Sequence, residues 1–240
     1  KKGHCMKKTG IWIVTGAMLV TAATGFAQGS ISGKAILQGA APAEKPIKME
    51  ADPYCAKTHP TAATTRHYVV GPGGGLANAF VYVKDGLAGK TFPAPKEPKV
   101  LDQQNCLYLP YVMGIQAGQP LQIQNNDNTL HNVHCVAKNN PEFNLGQPVK
   151  GMKNEKVFTK PEVMVQFKCD VHPWMFAYVG VVDHPFYAVT KEDGSFTLTG
   201  LPPGEYTLEA WHHKGGTLTQ KIKVEAGEAK APDFVFKPKS

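Results

Sequence analysis

An all-β fold is what this sequence predicts, and three observations carry that expectation. Of its 240 residues, 24 are glycine and 19 are proline, and stretches with apolar residues at helical spacing are scarce. Short runs that alternate apolar and polar residues recur instead, bounded by turn-forming residues, which is the pattern of half-buried strands. The length suffices for one large or two small domains, each with its own core.

The first 27 residues are read apart from the fold. Met6-Lys7-Lys8 offers a start and a basic n-region, 11–20 is an apolar h-region, and Gly25-Phe26-Ala27 places small residues before a cleavage point after Ala27. This predicts a cleaved signal and a periplasmic or secreted protein. The apolar run is short for a spanning helix and no charged stop follows it, so no stable membrane insertion is expected after cleavage. An uncleaved N-terminal anchor is the alternative. No cysteine follows the cleavage point, which argues against a lipoprotein, and residues 1–5 read as an upstream extension. The leader holds four lysines and no acid, so 22 of the 26 basic residues face all 19 acidic ones over 28–240, a net +3. That balance is too mild for a nucleic-acid partner. It is compatible with weak docking to an acidic redox partner.

Strands are expected along the rest of the chain in order. Residues 31–37 form the first, followed by a Gly39/Pro42 turn and an irregular polar stretch over 44–65. The run Gly71-Pro72-Gly73-Gly74-Gly75 lacks the Lys-Ser/Thr ending of a phosphate loop and precedes no helix pattern, so it reads as a connection. Residues 79–83 form a strand, and the proline-rich 92–98 a boundary. Between 100 and 182, strands are expected at 111–115, around Leu121 and Ile123, at 131–136, at Val157-Phe158, at 163–169 and at 179–182. From 186 onward the text becomes an antiparallel meander: Phe196 and Leu198, Tyr206, Leu208 and Ala210, Ile222 and Val224, and 234–236 supply apolar faces. No repeat of solenoid length and no low-complexity block is present.

The chemistry is concentrated in Cys169-Asp170-Val171-His172-Pro173-Trp174-Met175. Cys-x2-His-x2-Met puts a thiolate, an imidazole and a thioether on one tight loop. Cys169 continues a strand on the face of Val163, Val165 and Phe167, so it is expected to point inward. The second imidazole comes from His131, on an upstream strand with Val133 on the same face; His134 has the opposite parity. Two histidines, a cysteine and a weak axial methionine select copper for electron transfer. With four positions filled, no open site remains for a substrate, and no enzyme activity is expected. Zinc is a weaker match, because methionine is a poor zinc ligand and structural zinc takes more thiolates. A catalytic Cys/His pair and an incidental, purely structural grouping are the other readings.

Residues 100–182 resemble a cupredoxin on these motifs. The 118–131 stretch resembles the strand and turn that carry the family's first histidine. The Cys169–Met175 spacing, with proline after the histidine, resembles the ligand loop of amicyanin. The resemblance implies a Greek-key β-sandwich and one type 1 copper ion held by His131, Cys169, His172 and Met175. It also implies outer-sphere electron transfer with a partner protein, Asn132 tying the two ligand loops together, and the His172 ring edge as the electron exit. Trp174 and Phe176 flank the ligand loop as candidate covers for that ring.

The outer segments resemble a different family. Asp193-Gly194-Ser195-Phe196, Leu201-Pro202-Pro203-Gly204-Glu205-Tyr206 and Ile31-Ser32-Gly33-Lys34-Ala35 resemble the carboxypeptidase regulatory-like (transthyretin-like) sandwich. This implies a domain organisation in which 28–95 and 185–240 belong to one sandwich, split around a cupredoxin-like domain at 96–184. If Cys169 is a ligand, Cys55, Cys106 and Cys135 remain in an oxidising compartment. Cys55–Cys106 is the favoured disulfide, although sequence does not fix connectivity, and Cys135 reads as a buried thiol. A second metal site from Cys55, His59 and His67 competes with a disulfide beside surface histidines, and His212-His213 near Trp211 read as surface histidines, with a metal or ligand site as the alternative. Copper delivery and a non-metal interaction module are the competing functions. A multicopper oxidase fragment is disfavoured by the absence of His-x-His pairs.

Overall fold

A computed structural model describes residues 1–3 and 28–239. From residue 4 onward the leader lies outside the described residues. The strands, in chain order, are β1 (Gly29–Leu37), β2 (Phe80–Asp85), β3 (Lys99–Gln104), β4 (Leu107–Leu109), β5 (Val112–Gln116), β6 (Pro120–Asn125), β7 (His131–Val136), β8 (Phe143–Gln147) and β9 (Lys153–Val157). They continue with β10 (Glu162–Lys168), β11 (Phe176–Val182), β12 (Tyr187–Val189), β13 (Ser195–Leu201), β14 (Gly204–His212), β15 (Gly216–Val224), β16 (Gly227–Lys230) and β17 (Phe234–Phe236). One short helix, α1 (Pro53–Thr58), lies in the stretch expected to be irregular. Asp52 caps it and proline opens it, a start signal short enough to miss between polar residues.

The strands form two β-sandwiches, one cupredoxin-like. Its sheets run β5-β11-β10-β7-β8 and β4-β3-β6-β9. The inward sides alternate as the sequence does: Leu121, Ile123 and Asn125 from β6 and His131, Val133 and Cys135 from β7 are buried, while the intervening residues are half-buried. In the second sandwich, β1 pairs antiparallel with β13 and parallel with β16 and β17. The facing sheet runs β12-β2-β14-β15. Between them lie Ile31, Leu76, Val81, Phe196, Leu208, Phe234 and Phe236. Strands from 29–85 thus close a core with strands from 187–236.

β10 departs from expectation at its start. The pairing with β11 shifts register between Glu162 and Val165, so Val163 turns outward, 36% exposed. Val165 and Phe167 keep the expected inward parity and deliver Cys169 to the interior.

The two sandwiches meet through an aromatic seam of Phe80, Tyr82, Tyr111 and Tyr178, with Tyr187 and Trp211 packed against it. Gly114 and Gly180 are register partners on β5 and β11, and the seam requires both to lack a side chain. A Cβ on Gly114 would stand 2.4 Å from the Tyr187 ring and 2.6 Å from Phe80, and one on Gly180 2.5 Å from Phe80. Gly114→Ala is expected to cost about 1–3 kcal/mol by overpacking, read as a lower urea midpoint. An unchanged midpoint would show that the two rings yield freely.

Residues 47–63 pack on the cupredoxin-like core. Met49 and Cys55 are part of that core, and Ile47, Tyr54 and Ala63 lie against it. The ends of the segment are drawn together by Ile47 N–H to the Ala63 carbonyl (2.7 Å) and Thr65 N–H to the Lys45 carbonyl (2.9 Å). A Cys55–Cys106 disulfide fastens it to the loop between β3 and β4.

Candidate metal centre

His131 opens β7, and Cys169 follows β10 directly. The loop from Cys169 to Met175 is closed by its own backbone: Cys169 N–H donates to the Met175 carbonyl (3.0 Å) and Met175 N–H to that of His172 (2.9 Å). All four side chains singled out by the sequence are buried, with His172 only 2% exposed. Nδ1 of His131 lies 3.0 Å from Nδ1 of His172, and Sγ of Cys169 lies 3.7 Å from the same His172 nitrogen. Among the described residues, His131, Cys169 and His172 converge on one point with ligand atoms inside 4.8 Å of one another. Met175 is fully buried in the same core.

Charge at this point is set by its hydrogen bonds. Burial opposes ionisation of Cys169, but hydrogen bonding with His131 and His172 and from the Asn132 N–H outweighs it and brings the thiol down to about 6. Burial would also lower His131, yet its bonds to Asp127 and Cys169 raise it. A thiolate facing two imidazole nitrogens is a soft donor set that suits copper. The residues present therefore fit a copper ion. Two further groupings, Asp52/Cys55/His172 and Cys106/Asp127/His131, each depend on a half-cystine whose sulfur is not a thiolate, so they do not make comparable sites.

Asn132 occupies the place expected of it. Its N–H donates to Cys169 Sγ (3.4 Å), and its side-chain oxygen accepts the Asp170 N–H. Tyr108 adds a hydroxyl donated to the Asn132 carbonyl (2.7 Å). His134 faces away from the centre, bonded to Asp170 (2.9 Å) and Glu142 (3.0 Å). Cys135 is buried and unpaired, and burial pushes its thiol up to about 12.

Other expectations need correcting. The His172 ring edge is covered, because the 47–63 segment lies over it: Nε2 is 3.0 Å from Asp52 Oδ2 and 3.7 Å from Cys55 Sγ. Trp174 does flank the ring at 5.1 Å between centroids, anchored by Nε1–H donated to the Cys106 carbonyl (3.0 Å). Phe176 instead packs on Tyr111 and His213 in the seam. For Cys55, His59 and His67 the structure shows the favoured reading: Cys55 is in the disulfide, His59 binds the Asn105 carbonyl and His67 packs edge-on against His213. His212 and His213 are not surface residues: His212 is 2% exposed, and His213 sits against Tyr111, Tyr178 and Trp211. Sequence reasoning gave no site role to Asp52 and Asp127, the partners of the two ligand-type histidines. Asp127 sits four residues before His131 in an Asn-rich turn, whereas Asp52 is far away in sequence and carries only a helix-cap signal.

Comparison with known proteins divides along the chain. No curated protein matches it. Among solved structures, a mutant amicyanin in its Cu(I) form is 26% identical over 35% of this chain and 81% of its own, with a TM-score of 0.31. A purple cupredoxin from Nitrosopumilus maritimus is 24% identical over 35% of this chain and 97% of its own (TM-score 0.30). A Cu-containing nitrite reductase from Thermus scotoductus SA-01 is 19% identical over 40% of this chain (TM-score 0.34), and the matched part spans a quarter of the reductase's length. Residues 173–237 match the family model of the carboxypeptidase regulatory-like domain, a stretch that begins inside the ligand loop and takes in β11 of the first sandwich as well as β12 to β17.

Proposed function

We propose that this chain is an exported type 1 copper protein that passes single electrons to and from a partner protein. The observation that carries the reading is the convergence of His131 Nδ1, His172 Nδ1 and the Cys169 sulfur in a buried pocket. Met175, buried at the end of the same loop, would add a thioether donor to copper. When bound, copper supplies a one-electron carrier cycling between Cu(II) and Cu(I). The protein's part is to hold the donors fixed. Cys169 and His172 lie on a loop tied to itself, His131 lies on a sheet strand, and Asn132 ties the two. A site held this way reorganises little on electron exchange.

Export rests on the leader pattern in residues 1–27. Among the described residues no helix is long and apolar enough to cross a membrane. The domain organisation we favour is a cupredoxin-like unit at 96–184 within a regulatory-like sandwich formed by 28–95 and 185–240; pairing of β1 and β2 with strands beyond 186 supports it. Limited proteolysis that released 186–240 as a free folded piece would count against this division.

The testing experiment is a visible and EPR titration of residues 28–240 with Cu(II), alongside Cys169→Ser. The expected result is an intense thiolate-to-copper band with narrow parallel hyperfine splitting, both lost in Cys169→Ser. A pale spectrum with ordinary splitting would reject the reading. Copper delivery is the second reading, favoured by one observation: Asp52 and Cys55 cover the His172 edge through which outer-sphere exchange would run. Rapid reversible reduction with copper retained supports electron transfer, and release of Cu(I) to an acceptor supports delivery.

A further inference from the structure

The two histidines of the candidate centre share an arrangement that their role as ligands does not require. Each turns its Nε2 to a carboxylate, His131 to Asp127 (2.8 Å) and His172 to Asp52 (3.0 Å). Both carboxylates are filled by the same kinds of donor. Asp127 accepts the N–H groups of Asn105 and Cys106 (both 2.7 Å) and the Tyr54 hydroxyl (3.3 Å). Asp52 accepts the N–H groups of Tyr54 (2.8 Å) and Cys55 (3.2 Å) and the Thr129 hydroxyl (2.8 Å). An ionised carboxylate only accepts, so each Nε2 must carry the proton. In the neutral rings, the form that binds a metal, both Nδ1 lone pairs are then free, 3.0 Å apart and beside the Cys169 sulfur.

We propose that Asp52 and Asp127 are positioning residues of the metal centre, which fix both imidazoles in the metal-ready tautomer and bias the bound ion toward Cu(II). The proposal rests on the copper reading above. Two negative charges beside the ligands, one fully buried and one largely so, favour the more positive metal state, since carboxylate-bound imidazoles are more basic ligands. The arrangement also spans the fold. Cys55 and Cys106, joined by the disulfide, each donate their own amide to one of the two carboxylates. The segment that covers His172 therefore supplies one carboxylate and braces the other. This makes residues 47–58 part of the centre.

Asp52→Asn separates charge from shape. Asparagine keeps an oxygen for the Tyr54 and Cys55 amides, so the helix cap survives. Its NH2 then faces His172 Nε2, a donor against a donor. The imidazole must lose that bond or move its proton to Nδ1, where it blocks the metal. Competition titrations and redox titration of copper-loaded 28–240 are expected to show Cu(II) affinity falling about 10–100-fold. Cu(I) affinity falls less, and each tenfold difference between the two raises the reduction potential by about 59 mV. Thr129→Val, which removes a donor but keeps the charge, is expected to shift the potential less than Asp52→Asn. A second measurement does not depend on any variant. Long-range 1H–15N spectra of the wild-type Cu(I) form are expected to show a proton on Nε2 of both histidines.

If wild type binds copper through Cys169 but Asp52→Asn leaves Cu(II) affinity and potential within twofold-equivalent limits, this proposal falls and the copper reading stands. A proton found on Nδ1, or missing from Nε2, of either histidine overturns it equally. Wild type that takes up no copper overturns both.

Discussion

Replacing Cys55 and Cys106 together by alanine is expected to destabilise the protein by about 4 kcal/mol and to loosen the cover over His172. The disulfide joins positions 51 residues apart in sequence. Loop closure of that length restrains the unfolded chain by about 4 kcal/mol in the chain-entropy account. For a chain of this size that corresponds to a fall in Tm of roughly 10 °C. The effect should also be local. The 47–63 segment reaches the cupredoxin-like core through Met49 and Tyr54, but the disulfide is its covalent attachment beside the candidate centre. Two measurements separate the parts: calorimetry for the global loss, and the rate at which copper-loaded protein yields Cu(I) to a strong chelator for the local one. Faster release in the double variant at a temperature where it remains folded is the expected outcome. A Tm within 2 °C of wild type would show that apolar packing alone holds the cover.

This attachment also marks where the sequence was legible and where it was not. Cys169, His172 and Met175 announce themselves because their chemistry is local: three donor types within seven residues. His131 could be placed because strand parity puts it with Val133 on the buried face of β7, leaving His134 outside. Strands with a clean period of two, such as β6, β7 and β13, were readable for the same reason. β4, β8 and β12 were not. They are three to five residues long, too short for an alternation to stand out, and β4 and β8 each bury one residue fully and β12 none. The expectation for Val163 failed because a register shift reversed the parity of one end of β10.

The partners of the histidines were hidden for a different reason. Asp52 lies 120 residues from His172, and nothing in an Asp-Pro dipeptide says which imidazole it will meet. Likewise, His212 and His213 looked like surface residues because they sit beside Lys214 near the end of an amphipathic strand. Their burial is decided by Tyr68 and Phe236 in one case and by the seam between the sandwiches in the other. Tertiary packing, not local pattern, buries His212 and half-buries His213.

That burial predicts a loss of stability in mild acid. His212 packs against Tyr68 and Phe236, and its Nδ1 accepts the Gly215 N–H at 2.9 Å, so the neutral ring is the one that fits. Burial lowers its pKa from 6.5 to about 4, against the attraction of Glu44. His213 is lowered to about 3, chiefly by burial, with Lys214, His67 and His212 adding to it. For a histidine depressed in this way the folded state binds fewer protons than the unfolded chain. Its stabilising contribution is complete above 6.5 and is lost as pH falls toward the folded value. At ~1.4 kcal/mol per unit, His212 alone accounts for about 3 kcal/mol between pH 6.5 and 4. The carboxylates act in a different window. Asp52 is held at about 2, its hydrogen bonds from Thr129 and His172 and from the Cys55 and Tyr54 amides outweighing burial. Its contribution is present above 3.8 and disappears only below it. Urea unfolding at intervals from pH 7 to 4 should therefore show a decline beginning near 6.5. His212→Gln keeps an acceptor for Gly215 but does not titrate, and it should flatten that decline by about 3 kcal/mol over the interval. A wild-type profile level down to pH 4.5, or a variant with an unchanged slope, would show that His212 takes up its proton in the folded state without penalty.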